Sequence, residues 1–125
     1  MPKITIEPTN RGLFQSNGNV VVATGKDLQT LGGNGETIDT TGFYVPVDAG
    51  GTARDGTVLE AGTAAGQLLL LLNKGNRDID FAIAATSNLA GADGSKNLTL
   101  TPEKAILCVW DATNSKWSLT SQTLS

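Results

Sequence analysis

The chain has 125 residues, nine basic and twelve acidic side chains, a net charge of −3 and no histidine. Its charged fraction is 17%, against about 25% in ordinary domains, and 15 glycines together with Thr, Ser and Asn supply the polar surface instead. The missing histidine removes Ser–His–Asp and Cys–His nucleophilic schemes and the commonest metal ligand, and the mildly acidic balance argues against a nucleic-acid grip, which needs a basic face.

A chain of this length fits one domain that buries roughly two-thirds of its unfolded surface. Thr favours strands and Gly and Asn favour turns, so the composition leans toward an all-β fold. Cys108 is the one cysteine, so no intrachain disulfide can form. It lies inside the apolar run AILCVW (105–110) and reads as a small core residue rather than a reactive thiol. The opening MPKITIEPTNRG lacks the apolar core of a signal peptide. The Leu68 to Leu72 run has only five residues and AILCVW six, against about twenty for a membrane span. The expectation is a soluble protein assembled in a cytoplasm, with no membrane partner.

Residues 1–19 differ from the rest: KITIEP alternates briefly, then a polar, glycine-bearing stretch follows. They are expected to form an extended N-terminal arm, with residues 20–125 as the folded β domain. Nineteen extended residues can span about 60 Å, enough to reach a neighbouring subunit. Only Ile4, Ile6, Leu13 and Phe14 offer the arm apolar anchors. Ile4 and Ile6 have the i, i+2 spacing that puts both on one strand face, suited to docking on a neighbour's sheet edge.

A β-branched strand is expected at 19–23, followed by a turn cluster, GGNGE, at 32–36. TIDTTGFYVPV (37–47) reads as one bent strand, with Pro46 at an edge, a bulge or a strand end because proline cannot donate to a ladder. Asp48 to Gly56 is a loop. The stretch TVLEAGTAAGQLLLLL (57–72) has helix-favouring Leu and Ala, but Gly62 and Gly66 interrupt it and NKGN closes it after six residues. Short strands at 57–60 and 67–73 fit better. The Leu68 to Leu72 run is apolar on both strand faces in a chain too small for a thick core. Leu69 and Leu71 are therefore expected at a homo-oligomer interface.

Further strands are expected at 78–84, 97–101, 104–111 and 116–121, with a four-residue hairpin loop at 112–115. The sum is eight or nine short strands and no long helix, which reads as an antiparallel β-sandwich.

Candidate chemistry is sparse. Asp78 and Asp80 share a strand face and could do acid–base work; the plainer reading is a solvated polar face opposite Ile79 and Phe81. Asp48 and Asp55 read as turn-formers. DGSKN (93–97) faintly echoes a calcium loop but lacks the later bidentate Glu. GGNGE has no dinucleotide-binding spacing. Trp110 and Trp117 read as hairpin packing, with a sugar-stacking platform as the alternative. No catalytic, cofactor-binding or metal-ligating residue is expected, and no enzyme.

Two stretches, GQLLLLLN (66–73) and WDATNSKW (110–117), give residues 57–121 a resemblance to β-structured virion proteins of tailed phages. Such modules occur in capsid decoration (cement) proteins, head fibres, tail fibres and tailspikes. The resemblance implies a jelly-roll-like sandwich without catalytic residues. A small free-standing domain with a polar arm, without repeats or a coiled-coil stem, looks more like a cement protein than a fibre. Such a protein decorates and stabilises the capsid at junctions between capsomers of the major capsid protein, on the virion surface, typically as a trimer. The alternative is a receptor- or glycan-binding domain of a phage head or tail fibre.

Overall fold

The computed structural model describes residues 13–16, 19–22, 25–94 and 98–120, with backbone alone for the first two stretches. Their regular secondary structure is almost entirely strand. They form β1 (Leu13–Ser16), β2 (Asn19–Val22), β3 (Gln29–Thr30), β4 (Thr37–Ile38), β5 (Tyr44–Asp48), β6 (Arg54–Leu59), β7 (Leu68–Asn73), β8 (Ile79–Phe81), β9 (Thr99–Leu100), β10 (Ala105–Asp111) and β11 (Lys116–Leu119). One helical turn, α1 (Ala84–Ser87), interrupts them. The fold is all-β.

β1 and β2 make a two-stranded antiparallel hairpin, Leu13 opposite Val22 and Ser16 opposite Asn19. The expected boundary at residue 19 therefore falls inside a paired element. The other strands form a five-stranded sheet, β11-β10-β7-β5-β3, and a four-stranded sheet, β4-β6-β8-β9.

The expected antiparallel pairing is corrected in the first half of the body. From β3 to β8 the chain visits the two sheets in strict alternation, and each of β5 to β8 pairs parallel with the strand two places earlier. The reason lies in the connections. The loops after β5, β6 and β7 cross to the other sheet instead of folding back, so each return enters its sheet in the same direction. TIDTTGFYVPV is accordingly two strands, β4 and β5, in different sheets. Only from β9 onward do β9 on β8, β10 on β7 and β11 on β10 pair antiparallel.

Pro46 sits within β5, flanked by β3 and β7, and its position has a physical reason. Tyr44 and Asp48 turn their carbonyls toward the β3 side, accepting from the N–H of Lys26 and Leu31. Pro46, midway between them, turns its missing N–H the same way. On that side Gly25 pairs with Tyr44 but Gln29 with Val47, so four steps on one strand match three on the other. The donor that proline lacks falls at this slip in register, the bulge-like setting that tolerates it.

Both sheets feed one core. Val45, Val47, Leu69, Leu71, Ile106, Cys108, Trp110 and Trp117 come from the larger sheet; Ile38, Leu59, Ile79, Phe81 and Leu100 come from the smaller. The alternation along β7 and β10 is strict, every second side chain being enclosed. Leu69 and Leu71 are 0% exposed within the single chain. This corrects their expected place at an oligomer interface. Enclosing each stabilises the fold by about 2 kcal/mol, and neither has any surface left for a neighbour.

Candidate functional site

WDATNSKW folds as the tight end of the β10–β11 hairpin. Trp110 pairs directly with Trp117 and Asp111 with Lys116. Asp111 caps the loop by accepting from the N–H of Thr113 and Asn114 and from Asn114 Nδ2 at 2.7 Å. These bonds, the Asn114 side chain's foremost, hold its carboxyl below the ordinary range. Ser115 takes the left-handed conformation that closes the turn, at φ 56°.

The two indoles meet edge to face, with ring centroids 5.2 Å apart at 64°. Trp117 is fully enclosed, Trp110 is 7% exposed, and Trp117 Nε1 donates to the carbonyl of Glu60 at 2.8 Å. Gly62 lies against the Trp110 ring so closely that a Cβ there would stand 2.3 Å from it. A sugar-stacking platform needs an open ring face, and this pair has none. The tryptophans pin the hairpin to the smaller sheet.

Asp78 and Asp80 part company. Ile79 and Phe81 point into the core, as the alternation requires, and Asp80 faces the other way. It is nonetheless only 4% exposed and accepts a short hydrogen bond from Thr99 Oγ1 on β9. The solvated face expected for both residues holds for neither one fully, because Asp80 is enclosed beside Thr99 of β9 while Asp78 stays half-buried. Asp78 meets β6 through its main-chain carbonyl, which accepts from the Arg54 N–H at 3.0 Å.

The glycine-rich loops serve turns. Glu36 Oε1 accepts from the Gly32 N–H at 3.0 Å, and Asn34 Oδ1 from the Asp55 N–H at 3.0 Å. Asp48 Oδ1 accepts from the Gly50 N–H at 2.8 Å, the turn-forming role expected of it. In the DGSKN stretch, residues 95–97 lie outside the described residues. Among the described residues no three His, Cys, Asp or Glu side chains converge to hold a metal. Cys108 is enclosed, and burial pushes its thiol up to about 12.

Among the described residues two open clefts stand out, and the sequence pointed to neither. The larger, about 360 Å³, is lined by Gly25, Lys26, Asp27, Leu28, Gln29 and Asp39. In it Lys26 Nζ stands 2.9 Å from Asp39 Oδ2, and Asp39 Oδ1 accepts from the Thr41 hydroxyl and N–H. The Thr41 hydroxyl first, then Lys26, draw the Asp39 carboxyl below its ordinary 3.8 to about 2. An acid held so firmly ionised is a poor proton donor near neutrality. The second cleft, about 120 Å³, is lined by Thr40, Thr41, Ala61, Thr63 and Gln67. The Gln67 amide there is taken up by the Thr63 N–H and the Thr40 carbonyl.

Of the expected partner-binding residues, Ile4 and Ile6 lie outside the described residues, while Leu13 and Phe14 fall in β1, opposite Val22 and Val21. The structure thus places two of the four in one strand. Among the described residues no helix is long and apolar enough to cross a membrane. No family model, curated protein or solved structure matches the chain.

Proposed function

We propose that this chain is a structural virion protein that decorates and stabilises a phage capsid, seated where capsomers of the major capsid protein meet. The observation that carries the reading is the hairpin of residues 110–117. The stretch bearing the resemblance to phage virion proteins is spent wholly on architecture: two tryptophans locked edge to face and a loop capped by Asp111. A cement protein needs a rigid body and a means of attachment, and catalysis is no part of its work.

The finer fold that accompanies this reading is a two-layer sandwich, the five-stranded and four-stranded sheets stacked over their common core. Attachment falls to the N-terminal residues, with Ile4, Ile6, Leu13 and Phe14 as apolar anchors, and the assembled form is a homo-oligomer of trimeric type on the capsid surface. The glycan-binding alternative drew on the tryptophans, whose enclosure removes its motive.

Co-sedimentation with capsids of the encoding phage, stripped of this protein, tests the reading. The full chain should bind saturably and raise the temperature at which the capsids rupture. A variant lacking residues 2–16 should keep its folded body and lose most of the binding. Absence of binding by the full chain, or attachment to glycans in place of capsids, would overturn the proposal.

A further inference from the structure

Among the described residues Asn34 is the one asparagine that precedes a glycine. The pair has a chemistry of its own. The nitrogen of the following residue can attack the asparagine side-chain carbonyl carbon, most readily at glycine, where no Cβ crowds the approach. Asn73, Asn76, Asn88 and Asn114 are followed by Lys, Arg, Leu and Ser, whose side chains hinder that attack. Asn34 and Gly35 are both exposed, so water and hydroxide reach them.

The fold clasps this pair from one side. Gly35 N–H donates to the Asp55 carbonyl at 2.9 Å. Asn34 Oδ1 accepts from the Asp55 N–H at 3.0 Å. A single residue of β6 thus engages both the nitrogen that would attack and the amide that would be attacked. Two turns stand against each other here, with Gly35 at φ 73° and Gly56 at φ 70°, and a Cβ on Gly56 would lie 3.7 Å from the Gly35 nitrogen. Just beyond, the carbonyls of Glu36 and Ile38 accept from the N–H of Val58 and Glu60, so the same turn leads into β4, the edge of the smaller sheet.

We propose that Asn34 is a deamidation site held closed by the Asp55 main chain, and that its conversion loosens β4. A nitrogen whose N–H is given to a carbonyl is not free to lose its proton or to turn. The reaction waits for the 32–36 turn to leave β6. Gly35 N then loses its proton to hydroxide and bonds to Asn34 Cγ. The bond from Cγ to the amide nitrogen breaks, ammonia departs, and a cyclic imide remains. Water opens the ring at one carbonyl or the other. One opening yields aspartate, whose carboxylate accepts from the Asp55 N–H as the amide did. The other yields isoaspartate, in which the main chain runs through the former side chain and is longer by a methylene. With that carbon inserted, the two bonds to Asp55 no longer re-form together, and β4 loses its register on β6 from the start. This inference rests on the turn alone and is independent of the capsid reading.

Tryptic peptide mapping of the full chain, held at mildly alkaline pH either folded or in urea, provides the test. The peptide bearing Asn34 should gain the mass of an amide-to-carboxyl exchange about tenfold more slowly in the folded chain, the factor that opening one net hydrogen bond imposes. Exchange of the Gly35 amide hydrogen should be slowed by the same factor, because both reactions need the same opening. Asp55→Pro removes the N–H that holds Asn34 Oδ1 and should restore most of the rate seen in urea. The near-ultraviolet circular dichroism of the packed Trp110–Trp117 pair reports whether that variant stays folded. Chains carrying isoaspartate should melt below fresh protein, whereas Asn34→Asp should melt with it. Equal deamidation rates in the folded chain and in urea overturn the proposal, as does an Asn34 that stays unmodified in both. So does a folded Asp55→Pro chain as slow as wild type. Should that variant unfold, the wild-type Gly35 amide decides: protection matching the slowed deamidation upholds the proposal, and fast exchange overturns it.

Discussion

Asn73, the last residue of β7 in the larger sheet, donates through Nδ2 to the carbonyl of Leu100 on β9 of the smaller sheet, at 2.8 Å. The same amide donates to the Arg77 carbonyl at 2.8 Å, and Oδ1 accepts from the Gly75 N–H at 2.9 Å. Asn73 is 0% exposed, so one side chain closes the β7–β8 turn and fastens one sheet to the other. Trp117 makes the matching tie elsewhere, through its indole N–H to Glu60 beyond β6. Two polar bonds thereby tie the two sheets together, a job that apolar packing does less selectively.

Replacing Asn73 with Ala removes the donors to the Leu100 and Arg77 carbonyls and the acceptor of the Gly75 N–H. Three hydrogen bonds at about 1 kcal/mol each put the loss at about 3 kcal/mol. Urea denaturation should show a lower midpoint with unchanged slope. A loss below about 0.5 kcal/mol, the size of an ordinary surface change, would mean the tie is ornamental.

Thr57 presents the converse case. Its side chain is 1% exposed, faces the core beside Phe81, and its Oγ1 has no hydrogen-bond partner. Valine keeps the shape and drops the stranded hydroxyl. Thr57→Val should therefore stabilise the protein by about 1 kcal/mol, the low end of the cost of an enclosed unpaired polar group. A rise in melting temperature checks it; a fall would show that the hydroxyl has a bound water as partner.

Much of this body was legible in the chain. The period-two pattern of 105–111 and the bounded leucine run gave β10 and β7 within a residue, and the four-residue loop at 112–115 stands as expected. What pattern could not carry was the sheet to which each strand belongs. Glycine and asparagine clusters look alike whether they fold a hairpin back or carry the chain across to the other sheet, so the parallel pairings of β3 to β8 were hidden. The leucine run hid its phase for a related reason. Five identical side chains contain no alternation, and only Asn73, enclosed at the end of the run, marks the odd-numbered positions as inward. The Lys26–Asp39 cleft left no trace because its residues meet across a crossover. The one local sign was Asp39 two residues before Thr41, the spacing at which an aspartate accepts from the main chain.

Gly62 should admit no side chain. Its added Cβ would fall 2.3 Å from Trp110, which is held by Trp117 and cannot retreat. Gly62→Ala should cost about 1–3 kcal/mol, the range for overfilling a packed interior. It should also change the near-ultraviolet circular dichroism, because the edge-to-face geometry must open. An unaltered spectrum with full stability would show that the 60–66 segment gives way in place of the indole.

The acid limit of the cleft follows from Asp39. Its carboxyl titrates at about 2 in the folded chain, against 3.8 ordinarily. A depressed carboxylate adds stability above the unfolded value, and that contribution is lost as pH falls from about 4 through about 2. The pair with Lys26 is largely open to solvent, with side chains 31% and 43% exposed, so its worth is only about 0.5 kcal/mol. Carbon-detected NMR of the Asp39 carboxyl should give a midpoint near 2. Thr41→Val should raise that midpoint, because the bond from the Thr41 hydroxyl is the largest single cause lowering it, and Lys26→Ala should raise it too. A midpoint unmoved by Thr41→Val would make the ion pair, and not the hydroxyl, what keeps Asp39 charged.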